Sequence, residues 1–437
     1  MPQGEPAPPR SGGPGPARGD QGDLAATAER VLADLLGQSH LLRPDAIEEV
    51  FARAAAPLGV HEVRVYLADL QQQVLESLPS QDGRDSENLV IDSTIAGYAY
   101  RTFTVQHLPA GDRYRVWVPL VNGTDRLGVL SLLVSDVGEA MLARYRTLAS
   151  LAGLVIVAKS TYSDTFAYAR RTEKMALQAE LMWALVAPRT FATDRVLVAA
   201  ALEPAYEAGG DSFDYSLLGD HLHVSIFDAL GHDLAAGLLA SVAMASCRST
   251  RRAGGTLPDV AARADHAIAG QFGASRFVTA LLCDLNLVTG LFSWIPCGHP
   301  PPLLLRGNKV VKELFRRPQL PLGLGAIDHH APGRTGSGEP PGEDANPVST
   351  ERLEPGDRLL LYTDGVTEGW AADGTPFGLE RLGDFIIRHS HDGITLPETL
   401  RRLNHAITDH QRGHLRDDAT LVVIQWRPDH PERSLTP

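Results

Sequence analysis

Hydrophobic and polar positions divide the chain into stretches of different period. Over residues 24–36 and 44–55 apolar side chains recur at helical spacing, which predicts two amphipathic helices. Val63, Val65 and Leu67 then alternate with Arg64, Tyr66 and Ala68, the period-two pattern of a strand with one buried face. Two strand-like runs, 115–121 and 127–134, flank Asn122-Gly123, a pair that tolerates the positive φ of a tight turn, and so predict a hairpin. A helix over about 138–160 completes a unit of mixed helix and antiparallel sheet spanning residues 23–160.

Residues 161–186 contain neither Gly nor Pro and are rich in Ala, Leu, Met, Glu, Gln and Arg, so the expectation is one continuous helix ended by Pro188. Phe166, Ala169, Ala176, Leu177, Leu181 and Leu185 form an apolar stripe that Glu173 interrupts. Such a helical linker, assigned to 161–190, either packs on its own domain or pairs with a second copy and relays a signal. From 191 to 428 the pattern turns sheet-rich. Strand-like runs fall at 196–202, 215–218, 221–227, 277–284, 291–296, 302–306, 358–362 and 420–426, and helical patterns at 234–252, 257–271, 379–388 and 396–411. Strands in series with helices in pairs indicate an α+β layered sandwich of sheets covered by helices. The Pro-, Gly- and acid-rich segment 329–348 reads as a long surface loop.

Composition narrows the classes. The 437 residues allow two or three domains, and 43% apolar with 21% charged residues is ordinary globular usage. A net charge of −13 repels nucleic-acid backbones and anionic lipid, so neither nucleic acid nor a membrane is the expected partner. The three cysteines, Cys247, Cys283 and Cys297, show no C-x-x-C spacing, which argues against a disulfide framework and for a cytoplasmic protein. The strongly apolar run 151–158 is shorter than the roughly 20 residues of a membrane span. Residues 1–22 and 429–437 read as tails, the first Pro- and Gly-rich and disordered.

Acidic residues recur where strands meet turns: Asp211 after Gly209-Gly210, Asp228 after 224–227, Asp364 after 359–363, and Asp417-Asp418 before the last strand. An Asp that ends a strand often does no more than cap a turn; four such positions together weaken that reading. Carboxylates gathered at one end of a sheet repel one another unless protonated or bridged by a cation, and all-oxygen ligands suit Mg²⁺ or Mn²⁺. Two such ions would activate water for phosphoryl transfer. His405, His410 and His414 read as an exposed polar helix face, and His299 in Gly298-His299-Pro300 as part of a turn beneath the cleft. No Gly-x-x-x-x-Gly-Lys loop and no His-Glu-x-x-His motif is present.

These residues carry a resemblance. Glu203-Pro-Ala-Tyr-Glu-Ala-Gly-Gly-Asp-Ser-Phe-Asp214, Phe227-Asp-Ala-Leu-Gly-His232, Cys297-Gly-His-Pro-Pro-Pro302, Tyr362-Thr-Asp-Gly-Val-Thr-Glu368 and Asp417-Asp-Ala-Thr420 resemble, in order, the motifs of the SpoIIE-like branch of the metal-dependent PPM serine/threonine phosphatases. The resemblance covers about 187–426 and implies a four-layer α-β-β-α sandwich with two metal ions that activate water without a phosphoenzyme. It implies that Asp211 is a metal ligand, Asp228 bridges both ions, Ala229 offers its carbonyl, and Asp364 and Asp417 complete the carboxylates, with Asp418 a further candidate. Two departures stand out. Gly231-His232-Asp233 replaces the usual Gly-His-Gly, with Asp233 either facing the cleft or capping the next helix, and Ala208 stands where Val is usual. The segment Thr94-Ile-Ala-Gly-Tyr-Ala-Tyr100 with the hairpin through Val118-Pro-Leu120 and Leu127-Gly-Val-Leu-Ser131 is similar to a GAF domain, a ligand-sensing or dimerising module.

The resulting expectation is a Mn²⁺- or Mg²⁺-dependent protein phosphatase, controlled by a GAF-like sensor that takes a small-molecule ligand. Its implied substrate is the phosphoserine or phosphothreonine of an anti-anti-sigma (STAS) protein, and a homodimer is expected. The alternatives are an inactive phosphatase-fold scaffold that binds a partner and a metal phosphodiesterase acting on nucleotides.

Overall fold

The computed structural model describes residues 18–79, 87–207, 209–307, 309–325, 348–371, 374–391, 394–412, 415 and 417–428. The predicted tails through residue 17 and from 429, most of the predicted loop 329–348, Ala208 and His414 lie outside the described residues. The chain divides into two compact units. The first comprises residues up to Leu67, Leu75–Val121 and Leu127–Ala169; the second comprises Ala68–Val74, Asn122–Arg126 and the chain from Arg170 on.

In the first unit, strands β1 (Val60–Ala68), β2 (Val74–Ser77), β3 (Asn88–Val90), β4 (Gln106–Ala110), β5 (Arg113–Asn122) and β6 (Asp125–Val134) form one sheet in the order β3-β2-β1-β6-β5-β4. β1 runs antiparallel to β6 with Val65 opposite Leu130. The alternation read at Val63, Val65 and Leu67 is the buried face, which packs with Val118, Leu130 and Leu132 against Phe51, Tyr145, Leu148 and Ala152 of the helices Ile47–Ala55 and Glu139–Ser160. The second of these corrects the sequence expectation, because it alone among the described residues is long and apolar enough to cross a membrane. Half of its apolar window is buried inside the unit, which accounts for its composition as that of a core helix. The first helix, Arg18–Ser39, begins earlier than predicted, so residues 18–22 are helical rather than part of a disordered tail.

The continuous linker helix is also corrected. Glu139–Ser160 ends, Thr165–Ala169 forms one short helix and Leu177–Leu185 another. Other groups capture the backbone in between. Ser163 Oγ accepts from the Thr165 amide, the Thr172 amide donates to Tyr206 Oη, and the Ala176 amide donates to the Tyr206 carbonyl. Helix propensity across 161–186 is overridden by these bonds.

The second unit holds two antiparallel sheets. One is β15 (Ser349–Arg352), β12 (Leu291–Cys297), β11 (Val278–Asn286), β10 (His221–Ala229) and β9 (Asp211–Leu218), in that order. The other is β14 (Lys309–Glu313), β13 (Leu303–Arg306), β16 (Arg358–Tyr362), β17 (Ala419–Trp426), β8 (Val196–Glu203) and β7 (Thr190–Ala192). Phe213, Val224, Ile226 and Leu281 of the first sheet share a core with Val198, Leu361, Val422 and Ile424 of the second. The opposite faces are covered by helices. Phe227, Ala280 and Leu282 pack with Leu239, Met244 and Ile268 of Leu234–Arg252 and Leu257–Phe272, and Leu360, Leu421 and Val423 pack with Leu382, Leu400 and Leu403 of Leu379–His391 and Leu396–His410. Burial on both faces explains why β16 and β17 read as continuous apolar runs without alternation.

One buried ion pair ties the first sheet to its helix. Asp214 on β9 accepts from Arg248 Nη2 at 2.8 Å and from both terminal nitrogens of Arg251 at 3.2 Å. Asp214 and Arg251 are both buried. Removing one partner of a buried pair leaves the other uncompensated, so Asp214→Ala is expected to destabilise the unit by about 3–5 kcal/mol. Chemical denaturation of both proteins measures this, and a loss below about 1 kcal/mol, the range of an exposed pair, would show that the Asp214 pairing contributes little.

Candidate active site

The antiparallel registers bring the acidic residues to the same end of each sheet. Asp228, next to last on β10, lies directly opposite Asp211, the first residue of β9. In the second sheet Tyr362 at the end of β16 pairs with Leu421 near the start of β17. The chain leaving β16 therefore delivers Asp364, and the chain entering β17 delivers Asp417 and Asp418, to neighbouring positions. Asp364 opens the short helix Asp364–Thr367.

Asp211 and Asp418 are buried, Asp228 and Asp364 half-buried, and Asp417 exposed. Burial, then the charges of Asp418 and Asp228, push the Asp211 carboxyl well above its usual range. Burial, then Asp364 and Asp417, push Asp228 up to about 7. Burial followed by Asp417 raises Asp364, and burial is likewise the chief cause of the raised values of Asp417 and Asp418. Each of the first two thus has its ionised form opposed by neighbours of the same sign. The exposed His232 works the other way on Asp417 and Asp418.

The surrounding backbone is shaped to admit this cluster. Asp418 Oδ2 accepts from the amides of Gly209, Gly210 and Asp211 at 2.9, 2.7 and 3.1 Å. A methyl group at Gly210 would lie 2.5 Å from the Gly231 carbonyl oxygen and 2.7 Å from that of Ala229. One at Gly365 would lie 2.1 Å from the Asp418 carbonyl oxygen. The Gly-Gly-Asp and Asp-Gly pairs are therefore requirements of close backbone approach.

Two threonines that the sequence reading did not single out hold the carboxylates. Thr363 Oγ1 donates to Asp211 Oδ2 at 2.6 Å and accepts from the Thr420 amide at 2.9 Å, linking the two sheets. Thr279 Oγ1 lies 3.3 Å from Asp228 Oδ2 and 2.8 Å from His299 Nδ1. Thr363 adjoins Asp364 in the motif and offered a signal, whereas only the strand register brings Thr279 next to Asp228. His299 is buried, which lowers its pKa to about 3 and keeps the ring neutral at ordinary pH, and Gly298 before it has φ +69°. The turn reading of this motif agrees with both observations. His410 is engaged by Arg381 Nη1 and the Thr375 carbonyl. Asp233 caps the helix Leu234–Arg252, its Oδ1 accepting from the Ala236 amide at 2.9 Å.

The candidate donors that the resemblance implies, Asp211, Asp228, Asp364, Asp417 and the Ala229 carbonyl, are all hard oxygens, the set that suits Mg²⁺ or Mn²⁺. Their raised pKa values are what carboxylates show where a cation would relieve them, so the residues fit divalent metal. Among the described residues no three His, Cys, Asp or Glu side chains close on one point as a finished metal cage. Protein donors already engage several of the oxygens: three amides hold Asp418 Oδ2 and Thr363 holds Asp211 Oδ2.

The family profile described as Stage II sporulation protein E (SpoIIE) matches residues 219–427, which include Asp228, Asp364, Asp417 and Asp418. Residues 219–427 are thus a SpoIIE-like domain. The chain is 22% identical over 228 residues to phosphoserine phosphatase RsbU of Bacillus subtilis (strain 168), a match covering 52% of this chain and 62% of that relative's length. The solved RsbU and RsbW domains of a Mycobacterium tuberculosis protein are 24% identical, covering 54% of this chain and 61% of that one with a TM-score of 0.44. The SiaA PP2C domain of Pseudomonas aeruginosa is 20% identical, covering 52% and 85% with a TM-score of 0.43. Asp211 lies outside the profile match, and strand pairing alone places it opposite Asp228.

Gly210→Ala tests the backbone fit. The added methyl must displace the Ala229 and Gly231 carbonyls, at a cost of about 1–3 kcal/mol for overpacking. The expected outcome is a lower melting temperature together with weaker Mn²⁺ binding by calorimetry. Unchanged values for both would show that the loops have room to spare.

Proposed function

We propose that this chain, whose residues 219–427 match the SpoIIE profile, is a Mn²⁺- or Mg²⁺-dependent phosphatase acting on phosphoserine or phosphothreonine in a protein. The observation that carries the reading is the convergence of Asp211, Asp228, Asp364, Asp417 and Asp418 from four strand ends, with Asp228 held up to about 7 by burial and its acidic neighbours. On this reading the second unit is a four-layer α-β-β-α sandwich, which the three core clusters support. The first unit is a GAF-like sensor domain within 23–160, supported by its helix-flanked antiparallel sheet. The phosphorylated substrate is an anti-anti-sigma (STAS) protein, the first unit takes a small-molecule ligand and forms a homodimer, and the protein acts in the cytoplasm. The three buried, unbridged cysteines are compatible with that location.

Asp211, Asp228, Asp364, Asp417 and the Ala229 carbonyl would hold two divalent ions, with the second oxygen of Asp418 as a further candidate. When bound, such ions supply a water that is nucleophilic at neutral pH and positive charge for the oxygens of the phosphoryl group. The chain's own residues orient the site. Thr279 fixes one oxygen of Asp228, Thr363 fixes one of Asp211, and the Gly209–Asp211 amides fix one of Asp418. Each carboxylate thereby presents its remaining oxygen in a set direction before any ion arrives, the preorganisation that metal-assisted hydrolysis needs. His299, neutral and buried, contributes position and no proton.

The test is phosphate release from a phosphoserine STAS protein with Mn²⁺ and with chelator. Asp228→Asn and Asp364→Asn are each expected to lower kcat/KM by at least about a hundredfold, a loss of roughly 2.7 kcal/mol of transition-state stabilisation. Near-normal turnover in folded variants would contradict the metal assignment. A wild-type protein that binds the phosphoprotein and releases nothing would instead make it a scaffold.

A further inference from the structure

Arg276 precedes β11 at the end of the sheet that carries Asp228, and the reading of the acidic motifs made no use of it. Its Nη1 donates to the carbonyl of Leu230, the residue after Ala229, at 3.1 Å. Its Nη2 stands 3.7 Å from Asp233 Oδ2, an ionic contact too long for a hydrogen bond. Asp233 meanwhile spends its other oxygen on the helix cap. Among the described residues the guanidinium is therefore anchored at one nitrogen, while the other faces a loose ion pair with a carboxylate whose side chain is 60% exposed.

The position of this charge matters. The Gly231 carbonyl packs against Gly210, and a methyl group at Gly231 would lie 3.6 Å from Arg276 Nη1. Arg276 thus borders the same loop, 229–233, whose first carbonyl belongs to the acidic cluster. A phosphate dianion approaching five carboxylates meets repulsion in a chain whose net charge is −13. A guanidinium offers planar, charge-assisted hydrogen bonds to phosphate oxygens, a stronger partner than a carboxylate at 3.7 Å. Asp233, which stands where the resembled motif has Gly, is the carboxylate that faces Arg276.

We propose that Arg276 is the substrate-positioning cation of this site, taking the phosphate of a phosphoserine or phosphothreonine protein at the cleft lip by exchanging Asp233 for a phosphate oxygen. No bond is made or broken at Arg276; its role is capture and orientation. The proposal rests on the phosphatase reading, and its test separates the two. Inorganic phosphate binding to the Mn²⁺-supplemented full chain is measured by calorimetry for wild type, Arg276→Gln, Arg276→Lys and Asp233→Asn. Arg276→Gln keeps a donor for the Leu230 carbonyl and removes the charge, and is expected to weaken phosphate by about tenfold while Mn²⁺ affinity holds. Arg276→Lys should fall between the two, and Asp233→Asn, which keeps a capping oxygen, should tighten phosphate by about threefold. With p-nitrophenyl phosphate, Arg276→Gln should raise KM more than it lowers kcat.

Wild-type phosphate affinity in Arg276→Gln overturns the proposal, as does a parallel loss of Mn²⁺ affinity, which would make the residue structural. Absence of phosphate binding by the wild type overturns it as well. If Arg276→Gln does not fold, the Arg276→Lys and Asp233→Asn measurements decide alone, with unchanged affinity in both counting against the proposal. Arg276-dependent phosphate binding without phosphate release from a phosphoprotein would retain the anion site and remove the hydrolase reading.

Discussion

Burial of several like-charged carboxylates together is the constraint on which the second unit's active end is built. Asp211, Asp228, Asp364, Asp417 and Asp418 all have their ionised forms disfavoured, chiefly by burial and, in Asp211, Asp228 and Asp364, next by one another. A fold gains nothing from such an arrangement by itself, since a buried charge without a partner is costly. The surrounding chain compensates locally: three amides converge on one oxygen of Asp418, and Thr363 and Thr279 serve Asp211 and Asp228. The sign of the linkage follows. A carboxyl whose folded pKa lies above its unfolded value binds its proton more tightly in the native state, so its contribution to stability declines as pH rises from about 4 towards the folded value. For Asp228 that window ends at about 7.

The sheets make the cluster possible by holding the acidic residues on backbone that cannot drift. Asp228 and Asp211 are a register pair, and β16 and β17 are adjacent strands of the second sheet. Their shared core is apolar and continuous, with Phe213, Ile226, Leu361 and Val422 between the sheets. Glycine is needed at Gly210 and Gly365 because the loops of the two sheets meet at their backbones. The Asp214 pair with Arg248 and Arg251 fixes β9 to the helix that begins just after the Asp228 loop.

Much of this was legible in the sequence, for identifiable reasons. The strands of the second unit with long apolar runs, such as 196–203 and 419–426, were visible because burial on both faces demands them. The carboxylates were visible because each sits where a strand meets a turn. Short edge strands such as β7 and β14 were not, because three and five residues are too few to show a period. The linker helix was wrong because propensity over 161–186 is local, whereas the bonds from Tyr206 that interrupt it are distant in sequence. Thr279 and Arg276 were missed because their relation to Asp228 and to Asp233 is a fact of strand register and loop packing, with no signature in spacing.

The central claim is that the chain holds its acidic residues together against their own repulsion and that a divalent cation relieves it. The most direct test is thermal unfolding of the wild type and Asp228→Asn at pH 8, each with chelator and with Mn²⁺. Asp228→Asn is predicted to melt higher than wild type in chelator, because one repelling charge is gone, while Mn²⁺ raises the melting temperature of the wild type more than that of the variant. If Asp228→Asn melts no higher than wild type in chelator and Mn²⁺ leaves the wild type unmoved, the carboxylates are not a strained metal site and the account fails.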